Sequence, residues 1–158
     1  MQDRAVRLAA LVALVSALVA CSSSTRTVPR SALALHARSG HELAPSAEAR
    51  EVVEFARAQV GHRYCWGGTG PSCFDCSGLV QRAWSTVGVR LPRTSGAMGE
   101  ALHDVSVDDI RAGDILWYPG HVALYAGDGR AIEALDSHDG VVERVAKDPW
   151  RVLRPPGT

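Results

Sequence analysis

The sequence predicts an α+β domain in which N-terminal helices pack on a C-terminal antiparallel β-sheet. Apolar residues recur at helical spacing through the first part of the domain, and from Ile115 onward short runs rich in Val, Ile, Leu and aromatics replace them. Gly and Asp separate those runs, as at Gly127-Asp128-Gly129. A block of helices followed by a block of strands is the pattern of an α+β domain with an antiparallel sheet.

The chain opens on an expected export signal. Arg4 and Arg7 precede an apolar run from Leu8 to Ala20, too short to span a bilayer comfortably. The run ends Leu18-Val19-Ala20-Cys21, which resembles the lipobox of bacterial lipoproteins, so Cys21 is expected to carry lipid. A plain secretory signal with an incidental cysteine is the alternative. From Ser22 to Pro45 the sequence is rich in Ser, Thr, Arg and Ala without a sustained hydrophobic period, as in a flexible tether. The expected organisation is a signal peptide over 1–20, a tether over 21–45 lipidated at Cys21, and one domain over 46–158. That places the protein outside the cytoplasm, anchored to a membrane at the cell envelope.

Within the domain, Ala49, Val52, Val53, Ala56 and Val60 recur at helical spacing and Gly61 follows, which predicts a helix over 47–60. Gly67, Gly68, Gly70 and Pro71 make 62–74 a loop. A second helix starts at Cys76 with Asp75 as its N-cap, buries Leu79, Val80, Ala83, Trp84 and Val87, and stops at Gly88. A short helix over 95–102 follows a loop around Pro92. Strands are expected over 115–118, 121–125, 130–134, 141–145 and 150–153. No internal repeat and no second domain are visible.

Composition narrows the function. With 46% hydrophobic and 22% charged residues the chain is an ordinary globular protein, and its 17 basic residues balance 17 acidic ones. No Lys/Arg cluster or basic helix face occurs, so the electrostatic footprint of a nucleic-acid binder is missing.

The cysteines carry more information. With Cys21 assigned to lipid, Cys65, Cys73 and Cys76 remain, an odd number outside the cell. Cys76 has the setting that favours a thiolate: in the first turn of a helix, unpaired N–H groups and the helix dipole stabilise negative charge. Cys65 and Cys73 are then expected to pair across the glycine-rich loop, the alternative being two free buried thiols. Cys73-Phe74-Asp75-Cys76 also has C-x-x-C spacing. A redox site would want a preceding strand and a parallel sheet, however, and a zinc site with Cys65 and His62 lacks a second ligand half.

The segments Tyr64-Cys65-Trp66-Gly67-Gly68, Phe74-Asp75-Cys76-Ser77-Gly78-Leu79-Val80, Leu91-Pro92-Arg93-Thr94-Ser95, Gly113-Asp114-Ile115 and His121-Val122-Ala123-Leu124-Tyr125 closely resemble, in order, the NlpC-type family of cell-wall cysteine endopeptidases. The resemblance covers nearly all of Ala47 to Val145. It implies a papain-like fold in rearranged order, no cofactor, and a substrate: peptidoglycan stem peptides, usually cut between D-glutamate and a diamino acid. By the same resemblance Cys76 is the nucleophile, His121 the general base and Glu133 the third polar residue. Tyr64, Asp75, Ser77, Arg93 and Ser95 line or brace the substrate groove. Many members have His at the position of Glu133, and Glu resembles an actinobacterial variant. The Pro119-Gly120 turn before His121 is also more compact than in many relatives.

The residues support the same chemistry without the name. A thiol peptidase needs a base for the thiol proton and a group that accepts the other imidazole N–H. His121 alternates with Val122 and Leu124, so it faces away from the side they bury, and Glu133 can share that face from the next strand. Taken singly, His121 reads as a surface histidine, Glu133 as an exposed carboxylate, Tyr64 as a core aromatic and Asp75 as a helix cap. Their occurrence together with a helix-opening Cys gives a site. His138 reads as solvated in a turn, and Trp66, Trp84, Trp117 and Trp150 as packing aromatics. The expected protein is a monomer acting on the wall polymer. An amidase of the same type and a non-catalytic wall-binding lipoprotein are the competing functions.

Overall fold

The structure, a computed structural model, describes residues 45–156. The signal peptide, lipidated Cys21 and tether fall outside the described residues, apart from Pro45. Helix α1 (Ala47–Ala58) starts where Ser46 accepts the N–H of Ala49 at 3.1 Å, and it buries Ala49, Val52, Val53 and Ala56. It stops two residues before the expected end. Gln59 caps it and Gly61 turns the chain with φ +91°, which leaves Val60 outside the helix and 44% exposed.

Two short strands, β1 (Arg63–Tyr64) and β2 (Cys73–Phe74), pair in parallel inside the region expected to be a loop. Helix α2 (Cys76–Ser85) follows with Asp75 as N-cap, as expected, and α3 spans Ser95–Ala101. The sheet comprises β3 (His103–Val105), β4 (Ile115–Tyr118), β5 (His121–Gly127), β6 (Arg130–Ala134), β7 (Val141–Val145) and β8 (Arg151–Arg154), in the order β3-β8-β4-β5-β6-β7, antiparallel throughout. The fold is thus the expected α+β arrangement. Edge strand β3 and the 3-10 turn Val107–Asp109 were not expected.

Helix α2 lies against β5 and β6, and α1 lies against α2. Val122, Leu124, Ile132 and Ala134 meet the helices through Leu79, Val80, Ala83 and Trp84 in one core. Trp84 is the largest member, and its Nε1 finds no acceptor among the described residues. Burying its ring, about 200 Å², is worth about 5 kcal/mol and outweighs the roughly 1–3 kcal/mol cost of an unpaired donor. Leu116, Ala123, Tyr125, Ala131 and Val152 form a second core on the other face, covered by Val105, Val107, Ile110 and Tyr118. The sheet is therefore buried on both faces. By strand parity His121 and Glu133 share a face with Ala123 and Ala131, and His121, at the very start of β5, still reaches Cys76 at the start of α2, so both are largely withdrawn from solvent.

Candidate active site

Cys76 opens α2 because the glycine-rich loop delivers it there. A disulfide joins Cys65 to Cys73, with Cα atoms 5.7 Å apart. The N–H of Cys65 donates to Phe74 O at 3.0 Å, and that of Asp75 to Gly68 O at 2.9 Å. The loop is so close to the first turn of α2 that a Cβ on Gly78 would stand 2.0 Å from Gly68 O. Only glycine permits this approach. With Cys73 bonded to Cys65, Cys76 is the free thiol of the described residues, and the C-x-x-C pair is not a dithiol.

Asp75 does more than cap. Its Oδ1 accepts the N–H of Gly78 at 2.6 Å, the Ser77 hydroxyl at 3.2 Å and Arg93 Nη1 at 3.0 Å. Its Oδ2 accepts Gly67 N–H at 2.9 Å and Arg93 Nη2 at 2.6 Å. Arg93 Nη1 also donates to Ser77 Oγ at 3.0 Å. Burial raises the Asp75 pKa, but the Arg93 guanidinium and the two backbone donors hold it below the ordinary carboxylate value. Loop, helix start and Arg93 thus form one braced unit under Cys76.

His121 begins β5, after the two-residue turn Pro119-Gly120 whose Gly120 takes φ +79°. Leu124 pairs with Ile132, which sets Glu133 diagonal to His121 on the same face. His121 Nε2 lies 2.6 Å from Glu133 Oε2, leaving Nδ1 for the sulfur of Cys76. Glu133 is 4% exposed, and its other oxygen accepts Arg144 Nε at 2.5 Å. Cys76, His121, Glu133 and Arg144 therefore run in a line from the start of α2 across β5 and β6 to β7.

The electrostatics follow from this line. Burial pushes the Cys76 thiol up, but hydrogen bonds from His121 and the Val122 N–H, with the imidazolium charge, bring it below the ordinary value despite the charge of Asp75. The facing strand β5 thus adds donors to those expected from the helix start, where the Asp75 carboxylate takes the Gly78 N–H. Burial lowers the His121 pKa, yet hydrogen bonds to Cys76 and Glu133 and the charges of both raise it to about 9. Burial raises Glu133, and His121 and Arg144 more than offset this, so it stays ionised well below its ordinary value. Such opposed shifts in touching groups mark an arrangement suited to nucleophile and base.

Tyr64 sits half-buried nearby. Burial, then the negative charges of Cys76 and Asp75, raise its hydroxyl pKa, so it stays a proton donor. Ser95 opens α3, and its carbonyl accepts Trp117 Nε1 at 2.7 Å, a contact that ties α3 to β4 and does not reach the Cys76–His121–Glu133 line. Trp66 departs from the packing reading: it is 92% exposed at the rim of the loop. Trp150 is 67% exposed as well. His138 is solvated in its turn, as expected, and Asp136 spends Oδ1 on the N–H groups of His138 and Asp139. Neither joins the line of polar groups. Arg144 was missed. Its signal lay in parity: Ala134 opposite Val141 puts Glu133 and Arg144 on one face.

Comparison with known proteins gives this site a context. Residues 61–152 match the NlpC/P60 family. A probable endopeptidase of Corynebacterium glutamicum is 41% identical over 120 residues, 73% of this chain and 57% of that protein. The chain spans about half the length of the two C. glutamicum relatives it matches. The peptidoglycan hydrolase RipB of Mycobacterium tuberculosis superposes with a TM-score of 0.59 at 37% identity, over 70% of this chain and 67% of that one. RipD of the same organism, described as a non-catalytic NlpC/p60 domain protein adapted to peptidoglycan binding, gives 0.60 at 28% identity, over 69% and 98%.

Proposed function

This chain belongs to the NlpC/P60 family of endopeptidases and peptidoglycan hydrolases, and we propose that it is itself a cysteine peptidase that cuts peptidoglycan stem peptides at the D-γ-glutamyl to diamino acid bond. The observation that carries the proposal is the contact of a helix-opening thiol with His121, itself 2.6 Å from the buried carboxylate of Glu133.

In the resting site Cys76 is a thiolate and His121 an imidazolium. The thiolate attacks the scissile carbonyl, and the oxyanion takes donors from the start of α2 and from Tyr64. Collapse breaks the C–N bond while His121 gives its proton to the leaving amine, leaving a thioester on Cys76 and a neutral imidazole. His121 then takes a proton from water, whose oxygen attacks the thioester. Release of the peptide carboxylate regenerates thiolate and imidazolium. Glu133 accepts the Nε2–H throughout and keeps Nδ1 turned to the sulfur. Asp75, Ser77, Arg93 and Ser95 line or brace the groove. Cys21, after removal of residues 1–20, carries the lipid, and the tether to about residue 45 lets a monomeric domain reach the wall. Among the described residues no helix is long and apolar enough to cross a membrane.

Likeness to RipD makes a wall-binding protein without turnover the second reading. Digestion of purified sacculi, with mass analysis of the products, separates the readings. Endopeptidase action releases fragments cut within the stem peptide, an amidase releases whole stem peptides from the sugar, and a binding protein releases neither. Cys76→Ser should abolish release while the melting temperature is retained, because a serine hydroxyl is far less acidic than a thiol in a site built for an anion. Turnover by that variant at the wild-type rate would remove the proposal.

A further inference from the structure

The geometry points to Arg144 as a positioning residue that holds the Glu133 carboxylate, ionised and correctly aimed, for His121. The inference rests on the reading of Cys76, His121 and Glu133 as the reacting set. Glu133 divides its two oxygens: Oε2 meets His121 Nε2 at 2.6 Å, and Oε1 meets Arg144 Nε at 2.5 Å. A carboxylate can rotate about its last bond and offer either lone-pair face. Anchoring one oxygen on β7 fixes which face the other presents to β5.

Charge gives a second, independent reason. Thiolate, imidazolium, carboxylate and guanidinium alternate in sign, so the four groups together are neutral. Without Arg144 the set carries one uncompensated negative charge next to a core of Leu116, Ala123, Tyr125 and Ala131. A carboxylate needs such a cation on its far side; a neutral imidazole at that position would not. Glu133 and Arg144 thus form a functional pair, each explaining the other.

The other groups facing this line are few. Tyr118 of β4 stacks obliquely 6.1 Å from the His121 ring, and the Glu133 charge contributes to keeping its hydroxyl protonated. Tyr118 donates to Lys147 O at 2.8 Å, with Asp148 also near. Asp136, fully solvated after β6, feels the charge of Arg144 without a hydrogen bond to it. Cys76 faces His121 from α2. None of these can replace a direct guanidinium contact to Glu133 Oε1.

The test uses two readouts, one of which needs no substrate. Arg144→Gln should lower kcat on muropeptides about tenfold with KM within about twofold, because the group touches Glu133 rather than substrate. The acid limb of Cys76 alkylation by iodoacetamide should move upward, since Glu133 then protonates at a higher pH and releases the imidazolium. In a Glu133→Gln background, Arg144→Gln should add little further loss. In a Glu133→His background it should raise the alkylation rate at neutral pH by removing a cation from beside an imidazole. Three results would overturn the inference: an unchanged alkylation profile, a loss confined to KM, or costs that add fully in the double variant. Because alkylation reports on Cys76 and His121 directly, the pairing is tested even if wild-type protein cleaves no muropeptide, the result that would sink the proposed function instead.

Discussion

Replacing Glu133 by Gln keeps an acceptor within reach of His121 and removes the charge. In the wild-type site His121 stands at about 9 against an ordinary 6.5, and its hydrogen bonds to Cys76 and Glu133 and the charges of both do this against the opposing effect of burial. The net preference for imidazolium is worth roughly 3 kcal/mol. The Glu133→Gln change removes one of two anions while the burial penalty stays. The pKa of His121 should therefore fall by roughly one unit or more, helped by Arg144, which would then face the imidazolium with no carboxylate between them.

The sign follows from linkage. A histidine raised in the folded state contributes stability that is fully present below 6.5 and is lost as pH rises through about 9. Activity that needs the imidazolium to protonate the leaving amine should fall over the same alkaline limb. In Glu133→Gln that limb moves down, so the deficit relative to wild type should widen from neutral pH upward. At pH about 8, a limb lowered from about 9 to about 7.5 leaves roughly a quarter of the histidine charged. Turnover should drop about fourfold from this cause alone, with loss of alignment adding to it. Muropeptide release measured from pH about 5 to 10, alongside NMR titration of His121, reads both quantities. A deficit constant with pH, or a His121 titration that stays near 9, would refute the electrostatic role and leave Glu133 a spacer.

The loop beneath Cys76 gives two further expectations. Gly78→Ala would drive a Cβ to 2.0 Å from Gly68 O, so the first turn of α2 or the loop must shift; a loss of about 1–3 kcal/mol in denaturant unfolding and slower Cys76 alkylation are expected, and a variant unchanged in both would refute the close fit. Replacing Cys65 and Cys73 together by Ser should cost about 2–3 kcal/mol for so short a loop, read by thermal melting of the purified, oxidised protein; an unchanged melting temperature would show that Gly68 and the β1–β2 ladder hold the loop without the bond.

Much of the domain was legible because its cues are local. Ser46 and Asp75 are caps with side-chain acceptors, and the helical stripes and strands β4 to β7 follow periodicity. Strand β3 escaped detection because His103 and Asp104 are exposed and only backbone pairing with β8 makes them a strand. The β1–β2 ladder is equally invisible, since two residues per strand carry no period. Trp66 defeats the usual expectation that tryptophan is packed, because its position is set by the constrained loop on either side rather than by its own hydrophobicity. Arg144 needed hairpin register, which parity could supply only once Ala134 and Val141 were known to face each other.

What no local cue reveals is how the site manages its negative charges. Asp75 and Cys76 adjoin at the start of α2, where the charge of Asp75 opposes the thiolate directly, and a third acidic group, Glu133 of β6, stands beyond the His121 ring. Each carboxylate has its own guanidinium: Arg93 meets both oxygens of Asp75, and Arg144 meets the Glu133 oxygen that His121 leaves free. The His121 proton then remains for the thiolate rather than being drawn to either carboxylate. The two arginines arrive from a loop before α3 and from the strand after β6, 51 residues apart in the sequence. The caps and stripes that build the scaffold can be read in order along the chain, whereas this neutrality exists only after the helix layer has docked on the sheet.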